Sequence, residues 1–247
     1  MENIKGKVIA ITGASSGIGE AIARHLSELG AHIAIGARRV DKLERLATEI
    51  STNQNRVIYK ELDVTDPNQV RDFVAYTIAE FNTLDVFINN AGIMPLSMIN
   101  AYKLNEWNAM IDVNIKGVLH GIAASLPVFE EKDNGQIINI TSVADRWVGP
   151  TSTVYSATKF AVRTISEGLR QEISENIRVT IVAPGATESE LAEHISDPEL
   201  KKIAMEQFRT NLIPAKAIAS AVAFAISQPK EVDVNELVVR PTAQKSF

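Results

Sequence analysis

Apolar residues along the chain follow two patterns, short unbroken runs and longer stretches that repeat every three or four positions. A short apolar run bounded by turn residues predicts a buried strand, and the longer repeat predicts an amphipathic helix. The predicted strands are Lys7–Thr12, Ile33–Gly36, Val57–Leu62, Val86–Asn89, Gln136–Thr141, Val179–Ala183 and Glu236–Arg240. The predicted helices are Gly17–Leu29, Asp41–Ile50, Asp66–Phe81, Glu106–Glu130, Val154–Ser174 and Ala215–Ser227.

Strands and helices alternate over the whole length of the chain. This order predicts βαβ units, and therefore a parallel sheet with helices on both faces. The strands are apolar on both sides, as expected for strands that are covered on both faces. We therefore predict an α/β fold built on a doubly wound parallel sheet of about seven strands. The length of 247 residues suits a single domain, residues 1–247.

Residues 186–212 depart from this alternation, because they are more polar and lack a strand-like run. They lie between the sixth predicted strand and the last predicted helix. This position predicts a lid over a substrate site. A surface helical excursion without a function is an equal alternative.

Charge and composition exclude several classes of function. The net charge is −5 and the Lys and Arg residues are scattered, which argues against a nucleic-acid partner. The chain has no cysteine, which excludes disulfides and zinc–thiolate sites, and its four histidines lack metal-ligand spacing, so no metal is expected. Its N-terminal sequence shows no signal-peptide pattern, and no apolar run is long enough to span a membrane. We therefore expect a cytoplasmic protein without a membrane partner.

The first predicted strand runs into the first predicted helix through a glycine-rich turn, Thr12–Gly19, with the sequence TGASSGIG. Gly13, Gly17 and Gly19 allow the backbone to approach a ligand closely, and the amides at the helix start favour an anion. A turn at this place in the first βα unit predicts a dinucleotide phosphate site, here with the spacing GxxxGxG. A purely structural tight turn is the lesser alternative.

The end of the second predicted strand reads Gly36-Ala37-Arg38-Arg39. In NAD-binding sheets an acidic residue near this place binds the ribose 2′-hydroxyl, and the segment contains none. An arginine holds a 2′-phosphate in its planar fork, so the sequence favours NADP over NAD. Arg38 is the first choice for this contact and Ser15 a further one. The other arginine is expected to cap the next helix or to face solvent.

Tyr155 and Lys159 lie four positions apart on a predicted helix, and Ser142 precedes the tyrosine at the end of a strand. Residues four apart share a helix face, and an ammonium beside a phenol lowers the tyrosine pKa from about 10. Such a tyrosine exchanges protons with an alcohol oxygen, which a nearby serine hydroxyl holds. For an isolated pair, a half-buried aromatic beside a solvated cation is the better interpretation. The rest of the chain therefore decides whether this pair is catalytic.

Together these segments resemble the short-chain dehydrogenase/reductase family over essentially the whole chain. The resemblance implies a Rossmann-type sheet with strand order 3-2-1-4-5-6-7 and a catalytic tetrad of Asn114, Ser142, Tyr155 and Lys159. It implies adenine contacts at Leu62-Asp63-Val64, a cofactor contact at Asn89-Asn90-Ala91-Gly92 and nicotinamide contacts at Pro184, Gly185 and Thr187. The full set expected to bind NADP(H) is Gly13, Ser15, Ser16, Gly17, Ile18, Gly19, Arg38, Arg39, Asp63, Val64, Asn90, Ala91, Gly92, Tyr155, Lys159, Pro184, Gly185 and Thr187.

The resemblance also implies a mechanism, in which the cofactor exchanges a hydride with a carbonyl carbon. Tyr155 then exchanges the proton with the substrate oxygen, and Ser142 stabilises the charge on that oxygen. Lys159 holds the nicotinamide ribose and lowers the tyrosine pKa. Asn114 positions water in a proton relay that reaches Lys159. Asn114 is also suited to kinking its helix or bonding backbone, and Ser142 to satisfying backbone at a strand end.

Two segments depart from the family pattern. Asp145 stands where glycine is common. With Arg146 and Trp147 it either shapes the substrate entrance or, the favoured alternative, forms a solvated charge pair beside a packed indole. The C-terminal sequence VNELVVRPTAQKSF lacks the glycine-rich ending of the ketoacyl-carrier-protein reductases. It is more similar to the NADP-dependent serine and 3-hydroxy acid dehydrogenases.

We therefore expect an NADP(H)-dependent oxidoreductase that interconverts a carbonyl and a primary or secondary alcohol on a small molecule, with a 3-hydroxy acid as one candidate. The substrate pocket is expected to use residues 93–96, 143–150 and 186–212. The family resemblance implies a homotetramer or homodimer, with the helices at 106–130 and 154–174 at one interface. A catalytically inactive NADP(H)-binding redox sensor on the same fold is the alternative. A methyltransferase is disfavoured, because it has no use for Tyr155 and Lys159.

Overall fold

A seven-stranded parallel sheet forms the centre of the computed structural model, which describes residues 2–53, 55–209 and 212–244. Its strands are β1 Val8–Thr12, β2 His32–Ala37, β3 Val57–Glu61, β4 Val86–Asn89, β5 Gly135–Ile140, β6 Ile177–Pro184 and β7 Glu236–Val239. Their order across the sheet is β3-β2-β1-β4-β5-β6-β7, with every pairing parallel. This order confirms the predicted Rossmann-type, doubly wound α/β fold.

Helices cover both faces of the sheet. In chain order they are α1 Gly17–Glu28, α2 Val40–Ile50, α3 Pro67–Phe81, α4 Leu104–Ile111, α5 Gly117–Lys132, α6 Thr153–Glu172, α7 Pro198–Arg209 and α8 Ala215–Ser227. The apolar sides of α1, α2 and α8 pack on one face of the sheet, and those of α3, α5 and α6 pack on the other. The sheet is therefore buried between two helical layers.

The central strand β1 shows why its sequence is an unbroken apolar run. Ile9 and Ile11 face the layer of α1, α2 and α8, whereas Val8 and Ala10 face the opposite layer. Successive side chains of a strand point to opposite faces, so both faces here require apolar residues. Complete burial of Ile9 and Ile11 stabilises the fold by about 1.5–3 kcal/mol for each side chain.

The strand order reverses at β1, which pairs with β2 on one side and with β4 on the other. Ligands of doubly wound sheets bind in the crevice at the carboxyl ends of the strands at such a point. A hydrogen-bond network joins the two strand ends here. Thr12 Oγ1 accepts from the amides of Asn90 at 3.0 Å and Ala91 at 3.1 Å, and Asn90 Nδ2 donates to the Thr12 carbonyl at 2.9 Å.

The helix predicted over Glu106–Glu130 is not continuous. Helices α4 and α5 are separated by a π-helical turn, Asp112–Lys116. The prediction of a single regular helix is therefore wrong. Within this turn the buried side chain of Asn114 bonds the backbone of Ile93. A widened turn of this kind is frequent at functional sites, and here it lies beside the reversal point of the sheet.

The polar segment 186–212 contains a short 3-10 helix, Leu191–His194, and helix α7. Residues 210 and 211 of the segment lie outside the described residues. Thr187 forms an isolated parallel bridge with Ile213, which joins the two ends of the segment. Among the described residues, no helix combines the length and the apolar character that a membrane crossing requires.

Candidate active site

A cleft of about 1310 Å³ opens at the carboxyl ends of the strands. This volume exceeds the roughly 300–1,000 Å³ of a pocket for a drug-sized ligand. All of the residues predicted to bind the cofactor line the cleft, together with Ser142. The remaining member of the predicted tetrad, Asn114, lies behind its wall. The sequence reasoning therefore picked residues that the fold brings together, and their binding roles stay predictions.

The glycine-rich turn lies against the end of β4. Gly13 has a positive φ of 68°, and a Cβ atom there would lie 2.7 Å from the Cα of Ala91. Only glycine permits this approach without moving backbone. Helix α1 begins at Gly17, immediately after Ser16, so its unpaired amides and the positive end of its dipole face the cleft. This geometry suits a phosphate group.

The two arginines after β2 have different environments. The Arg38 side chain is exposed, lines the cleft and has no hydrogen bond or ion pair among the described residues. Burial and the nearby Arg38 both lower the pKa of His194, which places Arg38 close to the 186–212 segment. Arg39 precedes α2 without a side-chain cap. It donates instead to Ser15 Oγ and, at 2.7 Å, to Ser16 Oγ.

Tyr155 and Lys159 lie on one face of α6 and are both 6% exposed. The ammonium of Lys159 is 5.8 Å from the centroid of the Tyr155 ring and donates to the Ile140 carbonyl at 3.0 Å. Ser142 follows β5, and its hydroxyl accepts from the amide of Ala144 at 3.1 Å. The Ser142 side chain also lies near the phenol of Tyr155 and lowers its pKa. The backbone role proposed as an alternative for Ser142 therefore coexists with its contact to the tyrosine.

Burial controls the protonation of this pair. Burial raises the pKa of Tyr155 to about 12; the nearby Ser142 hydroxyl opposes this effect and the charge of Asp145 adds to it. The prediction of a lowered tyrosine pKa is thus wrong for the protein alone, because desolvation of the buried phenolate is the largest effect on this pKa. Burial also lowers the pKa of Lys159 to about 8, against the opposing effect of Asp145. At neutral pH the phenol is protonated and the lysine is mostly charged.

Asn114 holds the loop after β4. Its Oδ1 accepts from the amide of Ile93 at 2.9 Å, and its Nδ2 donates to the Ile93 carbonyl at 3.0 Å and to Thr158 Oγ1 at 3.1 Å. The backbone-bonding role considered for Asn114 is therefore present. A Cβ on Gly92 would lie 3.5 Å from Asn114 Oδ1 and 3.7 Å from Lys159 Nζ, so both groups border one small space. The proton relay stays a prediction.

The adenine and nicotinamide contacts implied by the resemblance fall at opposite ends of the cleft. Asp63 follows β3 and accepts from the amide and hydroxyl of Thr65 at 3.0 and 2.8 Å. Pro184 ends β6, and Thr187 donates to the Gly185 carbonyl at 3.0 Å.

Asp145 is fully buried, which corrects the favoured prediction of a solvated charge pair. Its Oδ1 pairs with Arg146 at 2.7 Å and lies 3.8 Å from Arg163. Both arginines also pair with Glu236 at the start of β7. A buried carboxylate requires such partners. The glycine that is common at this position in the family has no side chain to pair with the arginines. Trp147 is 45% exposed and lines the cleft, so only this part of the segment shapes the entrance.

Sequence reasoning missed Glu190, which lies in the 186–212 segment and lines the cleft. Its carboxylate pairs with Arg39 at 2.7 Å and with Lys42 at 3.0 Å. The Arg39 contact joins positions 151 residues apart. No local pattern identifies such a pair, because only the folded sheet brings its members together.

Comparison with known proteins agrees with this geometry. The sequence model of the short chain dehydrogenase family matches residues 7–200. An uncharacterised oxidoreductase from Staphylococcus saprophyticus is 49% identical over 247 residues, covering 99% of each chain. The structure is similar to that of an alcohol dehydrogenase from the archaeon Thermococcus sibiricus complexed with 5-hydroxy-NADP, with 32% identity, 98% and 100% coverage and a TM-score of 0.87. It is also similar to a closed form of serine dehydrogenase complexed with NADP⁺, with 29% identity, 97% and 96% coverage and a TM-score of 0.89.

Proposed function

Because the chain belongs to the short-chain dehydrogenase family of oxidoreductases, we propose that it interconverts a small-molecule carbonyl and a primary or secondary alcohol with NADP(H). The observation that carries the proposal is that Ser142, Tyr155 and Lys159 line the same cleft as the glycine-rich turn. Similar sheets host many functions, so these side chains, and not the fold, support the reaction.

The donor groups of the cleft fit a dinucleotide phosphate. The turn at Gly13 leaves no room for a Cβ and opens at the start of α1, where amides face the cleft. In this proposal Lys159 and Tyr155 hold the nicotinamide ribose, and Asp63 and Thr187 contact the adenine and the nicotinamide. When bound, the cofactor supplies the hydride, and the protein supplies orientation and proton transfer.

Tyr155 is the proton donor in the reducing direction. Burial keeps its phenol protonated at neutral pH, and the protonated form is the one that can donate to a developing alkoxide. Ser142 lies near the phenol of Tyr155 and in this proposal presents its hydroxyl to the same substrate oxygen, which stabilises the negative charge as it forms. The ammonium of Lys159 lies beside the ring and favours proton transfer away from the phenol.

The preference for NADP over NAD rests on the two arginines after β2. The segment offers no carboxylate of its own to a ribose diol. Arg38 lines the cleft without a partner among the described residues, and Arg39 is hydrogen-bonded to Ser15 and Ser16 of the glycine-rich turn. A guanidinium fork in this position matches a 2′-phosphate. The NADP complexes of the two similar structures support this preference.

The substrate end of the cleft is largely apolar. Met94, Leu96, Trp147 and Leu191 line it, with the carboxylate of Glu106 among them. This lining favours a small aldehyde, ketone or corresponding alcohol. A 3-hydroxy acid stays a candidate, because one similar structure is that of a serine dehydrogenase. The segment 186–212 supplies part of the lining and contacts the opposite wall, which supports its role as a lid.

We also propose assembly into a homotetramer or homodimer. Large apolar side chains remain exposed on α4, α5 and α6, among them Ile111 at 39%, Leu119 at 43% and Phe160 at 39%. Exposed apolar surface is typical of an interface, and the exposed side chains on these three helices support the proposal. Light scattering on the purified protein measures the state, and a monomer at working concentration would contradict the proposal.

A substrate panel tests the proposed reaction. Purified protein is mixed with NADPH and with aldehydes, ketones and 3-oxo acids, and the loss of NADPH absorbance is followed. We expect turnover with at least one class and a higher kcat/KM with NADPH than with NADH. Binding of NADPH without turnover of any member would favour the inactive redox sensor.

A further inference from the structure

The side chain of Glu190 occupies an anion-binding position at the adenosine end of the cleft. Its two carboxylate oxygens accept separately, one from Arg39 Nη1 at 2.7 Å and the other from Lys42 Nζ at 3.0 Å. The remaining donors of Arg39 reach Ser15 Oγ at 3.0 Å and Ser16 Oγ at 2.7 Å. A guanidinium and an ammonium therefore hold one carboxylate, and two hydroxyl groups hold the guanidinium in place.

The segment that carries Glu190 rests directly on the glycine-rich turn. A Cβ on Gly17 would lie 3.4 Å from both the Cα and the Cβ of Ser189. This contact positions Glu190 over the start of α1, where the helix amides favour a negative charge. The carboxylate thus contacts this basic surface from the side of segment 186–212. A bound phosphate would contact the same surface from inside the cleft.

We propose that Glu190 is an internal competitor of the cofactor 2′-phosphate for Arg39, and therefore a residue that sets the discrimination between NADP and NAD. The inference rests on the proposed use of Arg38 and Arg39 for the 2′-phosphate. NADP must displace the Glu190 carboxylate to gain the full fork of Arg39. NAD carries no phosphate at this place, so its binding leaves the ion pair intact.

The charge state of Glu190 makes this competition constant over the working pH range. Partial burial raises its pKa, but hydrogen bonds from Arg39, Ser16 and Lys42 outweigh burial and lower the pKa to about 2. The carboxylate is consequently ionised whenever the protein is folded at ordinary pH. Its side chain is 34% exposed and that of Arg39 is 44% exposed, so the pair is accessible enough to exchange partners.

The matched variants are Glu190→Gln and Glu188→Gln. Each removes one negative charge from the same segment. Glu188 is exposed and has no side-chain hydrogen bond or ion pair among the residues that the structure describes. A general effect of charge on an anionic ligand is therefore common to both variants, whereas release of Arg39 is specific to Glu190→Gln.

Calorimetric titration with two fragments gives a readout that does not require turnover. Adenosine 2′,5′-bisphosphate carries the 2′-phosphate, and adenosine 5′-monophosphate lacks it. We expect wild type to bind the bisphosphate more tightly. In Glu190→Gln the bisphosphate affinity should rise about twofold to fivefold, the size expected for a partly exposed ion pair, with little change for the monophosphate. In an Arg39→Ala background the same substitution should bring no gain.

The outcomes separate this inference from the proposed function. If wild type discriminates between the fragments but Glu190→Gln gains no more than Glu188→Gln, Glu190 is not a competitor and the NADP preference stands. If neither wild type nor Glu190→Gln discriminates, the NADP preference itself is wrong. A gain that persists in the Arg39→Ala background would also overturn the inference, because no guanidinium is then left to release.

Discussion

Replacement of Gly13 by alanine should weaken both the fold and the phosphate turn. Gly13 has a φ of 68°, and its new Cβ would lie 2.7 Å from the Cα and 3.0 Å from the amide nitrogen of Ala91. Both atoms belong to backbone that is fixed by the hydrogen bonds of Thr12. The loop after β4 therefore has to move, and it is the loop that borders the proposed cofactor site.

Two separate effects lower the free energy of unfolding of the Gly13→Ala variant. A left-handed conformation costs an alanine about 1–2 kcal/mol relative to glycine, and overpacking against fixed backbone typically costs about 1–3 kcal/mol. Gly6→Ala is the matched control, because Gly6 has a φ of 78° but nothing within 4 Å of the added Cβ. The control carries only the first cost, so the difference between the variants isolates the contact with Ala91.

Thermal unfolding of the two variants measures this difference. About 1 kcal/mol corresponds to roughly 2–4 °C in the melting temperature of a chain of this size. Gly13→Ala should therefore melt several degrees below Gly6→Ala, and it should also bind NADPH more weakly. Equal melting temperatures with equal NADPH affinity would refute the argument that the turn requires this close approach.

Two further predictions concern charge at either end of the cleft. Asp145→Asn removes a negative charge that raises the pKa of both Tyr155 and Lys159. In the proposed mechanism carbonyl reduction needs the charged lysine and the protonated phenol, so the rate first declines as pH rises through the pKa of Lys159 at about 8. Removal of the Asp145 charge lowers this pKa, so the alkaline limb of the pH–rate profile should move to lower pH; an unchanged limb would contradict this. Arg38→Ala should weaken NADPH binding by about 1.5–3 kcal/mol, the value of a hydrogen bond to a charged group, and NADH binding far less. Titration of both cofactors checks this, and equal losses would argue against a 2′-phosphate contact.

The strands can be predicted from the sequence because burial on two faces requires an unbroken run of apolar residues. β1 and β4 are unbroken apolar runs, and each lies between two neighbouring strands and two helical layers. The glycine-rich turn can be predicted equally well, since the positive φ of Gly13 requires a glycine at that position. Features of this kind depend on residue type and on nearest neighbours along the chain, which the sequence displays.

Other features depend on contacts between distant segments and leave no local pattern. The π-helical turn holds Asn114 against Ile93, and the helical periodicity of the sequence continues through it. Asp145 is buried by arginines from its own turn and from α6. The direction of the Tyr155 pKa shift was mispredicted for the same reason, because spacing places Lys159 beside the phenol but says nothing of the depth to which α6 is buried.

Turnover by Tyr155→Phe tests the central claim most directly. Tyr76→Phe is a matched control, because Tyr76 also lies beside a lysine, with Lys60 Nζ 5.4 Å from its ring centroid, but on α3 and outside the cleft lining. The account predicts that Tyr155→Phe loses about 100-fold to 10,000-fold in kcat, the usual contribution of a general acid, while its NADPH affinity stays nearly unchanged and Tyr76→Phe behaves as wild type. Retention of wild-type kcat by Tyr155→Phe would contradict the assignment of this tyrosine as the proton donor.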